Sequence, residues 1–159
     1  FELLIDAGIT NAVDAAAVLG AGADSVIAGL ETWPLLSSLE MLVNQFGDEK
    51  ILFSLDLKNG QPMIDAGTWP DPTPLGLATM AVDMGIQRMI VLDLAGVGTQ
   101  GGPPTLELCR QIRKRFDEIE LITGGGIRDL DDITAAANAG VDAVLVASAL
   151  HDGSLLETT

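Results

Sequence analysis

The chain has 159 residues, a net charge of −15 and 48% hydrophobic residues, enough apolar material for the core of one domain. That charge excludes nucleic acid as a partner, because affinity for it rests on lysine and arginine neutralising phosphates. No run approaches the roughly 18 apolar residues of a membrane span and no signal peptide is visible, so no membrane partner is expected and a cytoplasmic protein is.

The chain opens on an apolar, strand-like run, Phe1–Ile5, with no Met before it. That opening predicts that earlier units of the fold precede it. Asn11 then precedes an Ala-rich helical pattern, with Asp14 three residues later and Gly22 near its end. These are the signs of an N-cap, an acid in the first turn and a glycine stop. A second apolar run covers Ser25–Ala28, and a helix follows from about Leu35 to Phe46. The third run, Ile51–Leu57, leads into a long segment, Gln61–Pro74, with Trp69 and four prolines, which reads as a lid-type loop. A helix covers about Leu75 to Met84. Arg88–Leu94 is the fourth run, and a helix from about Thr105 to Phe116 follows it. The fifth run is Ile119–Thr123. Asp129 caps the next helix, with Asp132 three residues on and Gly140 as its stop. Ala143–Ala147 is the sixth run.

These runs are continuous rather than alternating, as in parallel strands covered on both faces. With helices between them, the fold class is α/β with a parallel sheet. Residues 1–30 also align without a gap on 119–148, with ten identities in thirty positions, Glu2/Glu120, Gly8/Gly126, Asp14/Asp132 and Asp24/Asp142 among them. A repeat at an offset of four strand–helix units predicts a twofold-repeated barrel of eight units, of which 159 residues hold six in one domain.

The sequence resembles the HisA/HisF family of (β/α)8 TIM barrels from histidine biosynthesis, read as the third to eighth strands. The likeness rests on "FSLDLKNG" (Phe53–Gly60), "LDLAGVGTQGGP" (Leu92–Pro103), "ITGGGIRDLDD" (Ile122–Asp132) and "VLVASALHDG" (Val144–Gly153). It implies an aldose–ketose isomerase that carries out an Amadori rearrangement on a phosphoribosylated aminoimidazole carboxamide, without metal or organic cofactor. It makes Asp56 the general acid and puts a second carboxylate on the barrel's first strand, before Phe1. Four departures are visible. Leu92 stands where the family has Thr, Val97 where it has a second Asp, Asp6-Ala7-Gly8-Ile9-Thr10 where it has Gly-Gly-Gly-Ile-Arg, and Ala147-Ser148 where it commonly has a Gly followed by a basic or small residue. A divergent barrel acting on another phosphorylated small molecule, or a non-catalytic module, remains an alternative.

Gly125 and Gly126 offer backbone N–H groups at a helix start, which bind phosphate without needing Lys or Arg. One glycine would suffice for the turn, so three in a row point to an anion seat. Ala147 and Ser148 form its other wall, and Gly8 and Gly29 mark the symmetric seat. Asp56 ends a strand and faces the mouth of a barrel. Asp93, Gly98, Thr99 and Gly102 are the expected substrate-binding residues, and the partner is a phosphorylated sugar or ribonucleotide-like molecule. Trp33 and Trp69 are read as loop anchors, Lys58 and His151 as surface residues, and Cys109 as buried filler. Arg110, Arg113, Lys114 and Arg115 complement a helix dipole. Six strands cannot close an eight-stranded barrel, so the open edges predict either further units or self-association.

Overall fold

A computed structural model describes residues 1–32, 36–64, 69–96 and 102–151. The expectations placed on Trp33, Val97, Gly98 and Thr99 lie outside the described residues. Six parallel strands run in chain order: β1 (Leu4–Ile5), β2 (Ser25–Gly29), β3 (Ile51–Lys58), β5 (Arg88–Asp93), β6 (Glu120–Gly124) and β7 (Ala143–Leu145). Helices α1 (Ala12–Gly20), α2 (Leu36–Phe46), α3 (Pro74–Asp83), α4 (Leu106–Arg115), α5 (Leu130–Asn138) and α6 (Ser148–His151) follow them in turn. A doubly wound sheet reverses its strand order at a switch point. Here every strand lies beside its chain neighbour, so right-handed crossovers step one way and all helices fall on one face. The result is six successive units of a (β/α)8 barrel.

Period-two alternation along β3 sorts its side chains. Ile51, Phe53, Leu55 and Leu57 join the helix-side core with Val26, Ala28, Met89, Val91 and Leu121. Leu52 faces the other way and packs with Ile90 and Ile122, against Leu4, Ile27 and Leu92. This second cluster lines the inner face. At the N-terminal end of that face Arg88 meets Glu120 on the neighbouring strand and also reaches Glu2 Oε1 at 2.8 Å and Ser25 Oγ at 2.8 Å. Three strand spacings of about 4.8 Å would put β1 and β5 roughly 14 Å apart in a flat sheet. The Arg88–Glu2 contact therefore requires the sheet to curl with this face concave.

The caps at Asn11 and Asp129 form as the sequence predicts: Asn11 accepts from the N–H of Val13 and Asp14, and Asp129 from that of Asp132. The sequence reading did not name the cap of α3, where Thr73 accepts from the Gly76 N–H. Thr105 makes no cap bond, because its hydroxyl is 2.6 Å from that of Thr123 on β6. Thr123 gives its own proton to the Val91 carbonyl, which leaves Thr105 as the donor. The edge strands are shorter than expected: β1 pairs only over Leu4–Ile5 and β7 over Ala143–Leu145. Each has one neighbour instead of two. Large apolar side chains stay exposed in these outer units, with Phe1, Leu3 and Val13 at one edge and Leu130, Leu145 and Leu150 at the other.

The segment after β3 is not wholly loop. Gln61–Pro62 forms a short antiparallel strand, β4, on the end of β3. Asn59 (φ 53°) and Gly60 (φ 74°) make the two-residue turn between them. Positive φ at both central residues is the type I′ pattern that Asn-Gly favours. Trp69 packs against the helix-side core, which anchors the segment leading into α3. No described helix is long and apolar enough to cross a membrane.

Candidate functional site

Asp56, near the C-terminal end of β3, lies on the inner face, in register with Leu92 of β5. It is 8% exposed, so its carboxylate is largely cut off from water. Ser54, two residues earlier on the same face, donates to Asp56 Oδ1 at 2.9 Å. Gly29 at the end of β2 lies alongside, where a Cβ would come within 3.6 Å of Asp56 Oδ2. Burial pushes the Asp56 carboxyl up from 3.8 to about 6; the Ser54 hydrogen bond opposes the rise, and the charges of Glu31 and Asp6 add to it. A carboxyl that titrates there can hold or release a proton near neutral pH, as general acid–base chemistry needs. The sequence reading found Asp56 but not Ser54. A lone hydroxyl two positions before a strand-end acid, inside an apolar run, was the available signal.

Asp93, one residue beyond Leu92, falls on the opposite parity. It is 2% exposed. Its oxygens accept three backbone N–H groups: Asn59 at 3.0 Å, Gly60 at 2.7 Å and Ala95 at 2.9 Å. Asp93 thus ties the β3–β4 turn to the end of β5.

The Gly124-Gly125-Gly126 stretch ends β6. Gly125 and Gly126 both have positive φ, 82° and 88°. A Cβ at Gly125 would lie 2.7 Å from the Asp93 carbonyl oxygen, and one at Gly126 would lie 2.7 Å from that of Gly102. The expectation that one glycine would suffice for the turn is therefore corrected. Two successive residues need both the left-handed conformation and room for a neighbouring backbone. Among the described residues none accepts from the N–H of Gly125 or Gly126. Arg128 is bound to Asp132 through Nε at 2.7 Å and Nη2 at 2.8 Å, and Asp132 also accepts the Arg128 N–H at 3.0 Å. That pairing holds the Asp132 carboxyl below its usual range. Gly102 sits against this pair. On the next strand, Gly124 pairs with Leu145, and Ser148 opens α6, with Ala147 supplying the carbonyl for Leu150 and His151.

The other end of the inner face differs. Asp6 Oδ1 accepts the Gly8 N–H at 3.1 Å. Gly8 is itself in the left-handed region (φ 59°), with nothing near its Cα on the side-chain side. Away from the strand ends, Cys109 is fully buried beside Thr105 and Thr123, and burial raises its thiol. Arg113 does more than complement a dipole. It donates to the carbonyls of Gly140, Asp117 and Ile119 and pairs with Asp142, clamping two loops at the base of the sheet. Among the described residues no group of three or more His, Cys, Asp or Glu could hold a metal ion.

A carboxyl stands near the C-terminal end of β3, and a three-glycine stretch ends β6 two strands away. The family model for histidine biosynthesis proteins matches residues 1–156. The chain belongs to this family. Among curated family members, it is 31% identical over 155 residues to an isomerase from Edwardsiella ictaluri named for 1-(5-phosphoribosyl)-5-((5-phosphoribosylamino)methylideneamino) imidazole-4-carboxamide. That match covers 94% of this chain and 63% of the relative. The isomerase of the same name from Aliivibrio fischeri strain MJ11 is 28% identical over 158 residues, 96% of this chain and 64% of its own. The chain thus spans a little under two thirds of the length of these family relatives.

Proposed function

We propose that the protein acts as an aldose–ketose isomerase of the histidine-biosynthesis type, on a phosphoribosylated aminoimidazole carboxamide. The observation that carries this is the buried carboxyl of Asp56, hydrogen-bonded by Ser54 near the C-terminal end of its strand and raised by burial to about 6. The rearrangement needs a proton donated to the ribose ring oxygen as the C1–O bond breaks, with the aminosugar nitrogen forming a C=N bond to C1. A proton is then removed from C2, and the enaminol collapses to the ketose. Asp56, protonated, is the donor in the first step. A second carboxylate takes the C2 proton, and the family resemblance assigns it to an earlier strand of the barrel.

The N–H groups of Gly125 and Gly126 seat a phosphate, with Ala147 and Ser148 as the adjoining wall and Arg128 behind the loop. Gly102, whose carbonyl lies close to Gly126 and which sits against the Arg128–Asp132 pair, borders this seat. Asp93, with its oxygens given to three backbone N–H groups, works as a positioning residue that holds the turn beyond Asp56. The test is genetic. The gene should restore growth without histidine to a strain that lacks the isomerase, and Asp56→Asn should abolish the rescue while the protein still accumulates. If the unmodified gene gives no rescue, the isomerase reading fails in favour of another reaction on a phosphorylated small molecule.

A further inference from the structure

We infer, on the reading that Asp56 donates a proton, that Ser54 is a positioning residue: its hydroxyl occupies Asp56 Oδ1, so the transferable proton sits on Oδ2, the oxygen that faces the end of β2. Period-two spacing puts Ser54 and Asp56 on the same inner face of β3. Ser54 lies in register with Gly29 of β2 on one side and Ile90 of β5 on the other. Leu52, Ile90 and Ile122 form the apolar cluster of that face. Ser54 is 5% exposed. An alanine or valine there would continue the apolar cluster, so the hydroxyl needs a partner to offset its burial. That partner is Asp56 Oδ1, at 2.9 Å.

The direction of this bond decides where the proton of the acid sits. Among the described residues the Ser54 hydroxyl has Asp56 as its acceptor. Were the proton on Oδ1 and donated to Ser54 Oγ, the serine proton would be buried with no acceptor, at the cost of a lost hydrogen bond. Ser54 therefore donates, Oδ1 accepts, and the proton of the neutral acid goes to Oδ2. A Cβ at Gly29 would come within 3.6 Å of Oδ2, and glycine puts no side chain on that flank. On the other flank Leu92 of β5 is in register with Asp56 and brings no hydroxyl. The Leu30 N–H, given to the Ser54 carbonyl at 2.9 Å, adds a smaller pull towards the charged form. The charged groups that act on Asp56 are Glu31 after β2 and Asp6 after β1, and both resist its ionisation. On β5, Asp93 has the opposite parity and is bound to backbone N–H groups. Lys58, two residues further along β3, is exposed.

As the Oδ2–H bond breaks and the proton passes to the ring oxygen, the electron pair stays on the carboxylate. Ser54 keeps its own proton throughout. Its bond to Oδ1 becomes charge-assisted, roughly twice as strong as before. The bond thus favours the transition state over the ground state.

The test compares Ser54→Ala and Ser54→Thr with the parent, all expressed from the whole gene. Carbon-13 NMR follows the Asp56 carboxyl with pH, and turnover of the phosphoribosylated aminoimidazole carboxamide is measured over the same range. Ser54→Ala removes a bond to the charged form, so the carboxyl should titrate above the parent's value of about 6. A general acid works while protonated, so the basic limb of kcat should move to higher pH with it. At its optimum kcat should fall about tenfold with KM unchanged, short of the ~100-fold or more expected from losing the acid itself. Ser54→Thr keeps the hydroxyl and should return both readings towards the parent. An alanine variant whose carboxyl titrates like the parent's would overturn the inference, and so would a shifted titration with kcat unchanged. Lost turnover with an unmoved pH limb would reduce Ser54 to a packing residue. A parent without turnover sinks the isomerase reading by itself. The titration then decides the Ser54–Asp56 pair alone: a rise in Ser54→Ala that Ser54→Thr reverses upholds the hold on Oδ1, and no rise ends it.

Discussion

Replacing Asp56 by Asn should make the protein more stable and inactive at once. The Asp56 carboxyl rises from 3.8 to about 6 on folding, chiefly through burial. At about 1.36 kcal/mol per pH unit of difference, keeping the charge inside the folded protein costs about 3 kcal/mol at pH 8. Asn carries no charge and can still accept the Ser54 hydrogen bond. Its new N–H groups need partners, which takes back about 1 kcal/mol. The expected net gain is about 2 kcal/mol at pH 8. The sign of the pH dependence follows from linkage. The folded carboxyl holds its proton more tightly than the unfolded one, so the charge penalty is complete above pH 6 and fades as pH falls towards 3.8. At pH 5 the charge penalty is about half its pH 8 value. Urea unfolding of both proteins at pH 8 and pH 5, which stays above the pI of 4.1, measures this. A variant less stable than the parent at pH 8, or a gain that does not shrink at pH 5, would refute the claim that Asp56 is a strained, desolvated acid.

Leu92→Thr places a hydroxyl on the strand position in register with Asp56. A hydrogen bond from it favours the charged carboxylate, so the acid limb of the Asp56 titration, followed by carbon-13 NMR of the carboxyl, should move to lower pH; no movement would show that the two side chains do not meet. Asp93→Ala strips the acceptor from three backbone N–H groups and should cost about 3 kcal/mol or more. Hydrogen exchange at Asn59 and Gly60 should quicken with it, and a loss below about 1 kcal/mol in urea unfolding would argue against the clamp.

Strand and helix placement was legible because both faces of a barrel strand are apolar and two helices announce their own caps. Asn11 and Asp129 mark their helix starts by local chemistry alone; Thr73 carries the same kind of signal but was not read. Asp56 could be found for a similar reason, since its position depends only on where its strand ends. The roles of Asp93 and Gly126 depended on partners 33 and 24 residues away, Gly60 and Gly102. No local pattern names such partners before the fold brings them together. Asn59-Gly60 was a readable hairpin signal, hidden by the prolines that follow it and suggest a plain loop. The shift at Asp56 was invisible for another reason. It is a property of the surroundings, and the sequence names the acid without saying how dry its position is.

Arg88 at the floor of the inner face has a consequence for how the chain folds. Each strand–helix unit can dock on the one before it by contacts a few tens of residues apart, so the sheet grows stepwise from local pieces. The guanidinium bond to Glu2 spans 86 residues and has no meaning until β1, β2, β3 and β5 lie side by side and bend. It can form only when a strip of paired strands has become a bowl. A contact of that kind is expected to act on the rate of opening rather than of assembly, which unfolding and refolding rates of Arg88→Ala would show. Arg88 therefore works as a latch on curvature, slowing the flattening of a sheet whose edges would otherwise be free to straighten.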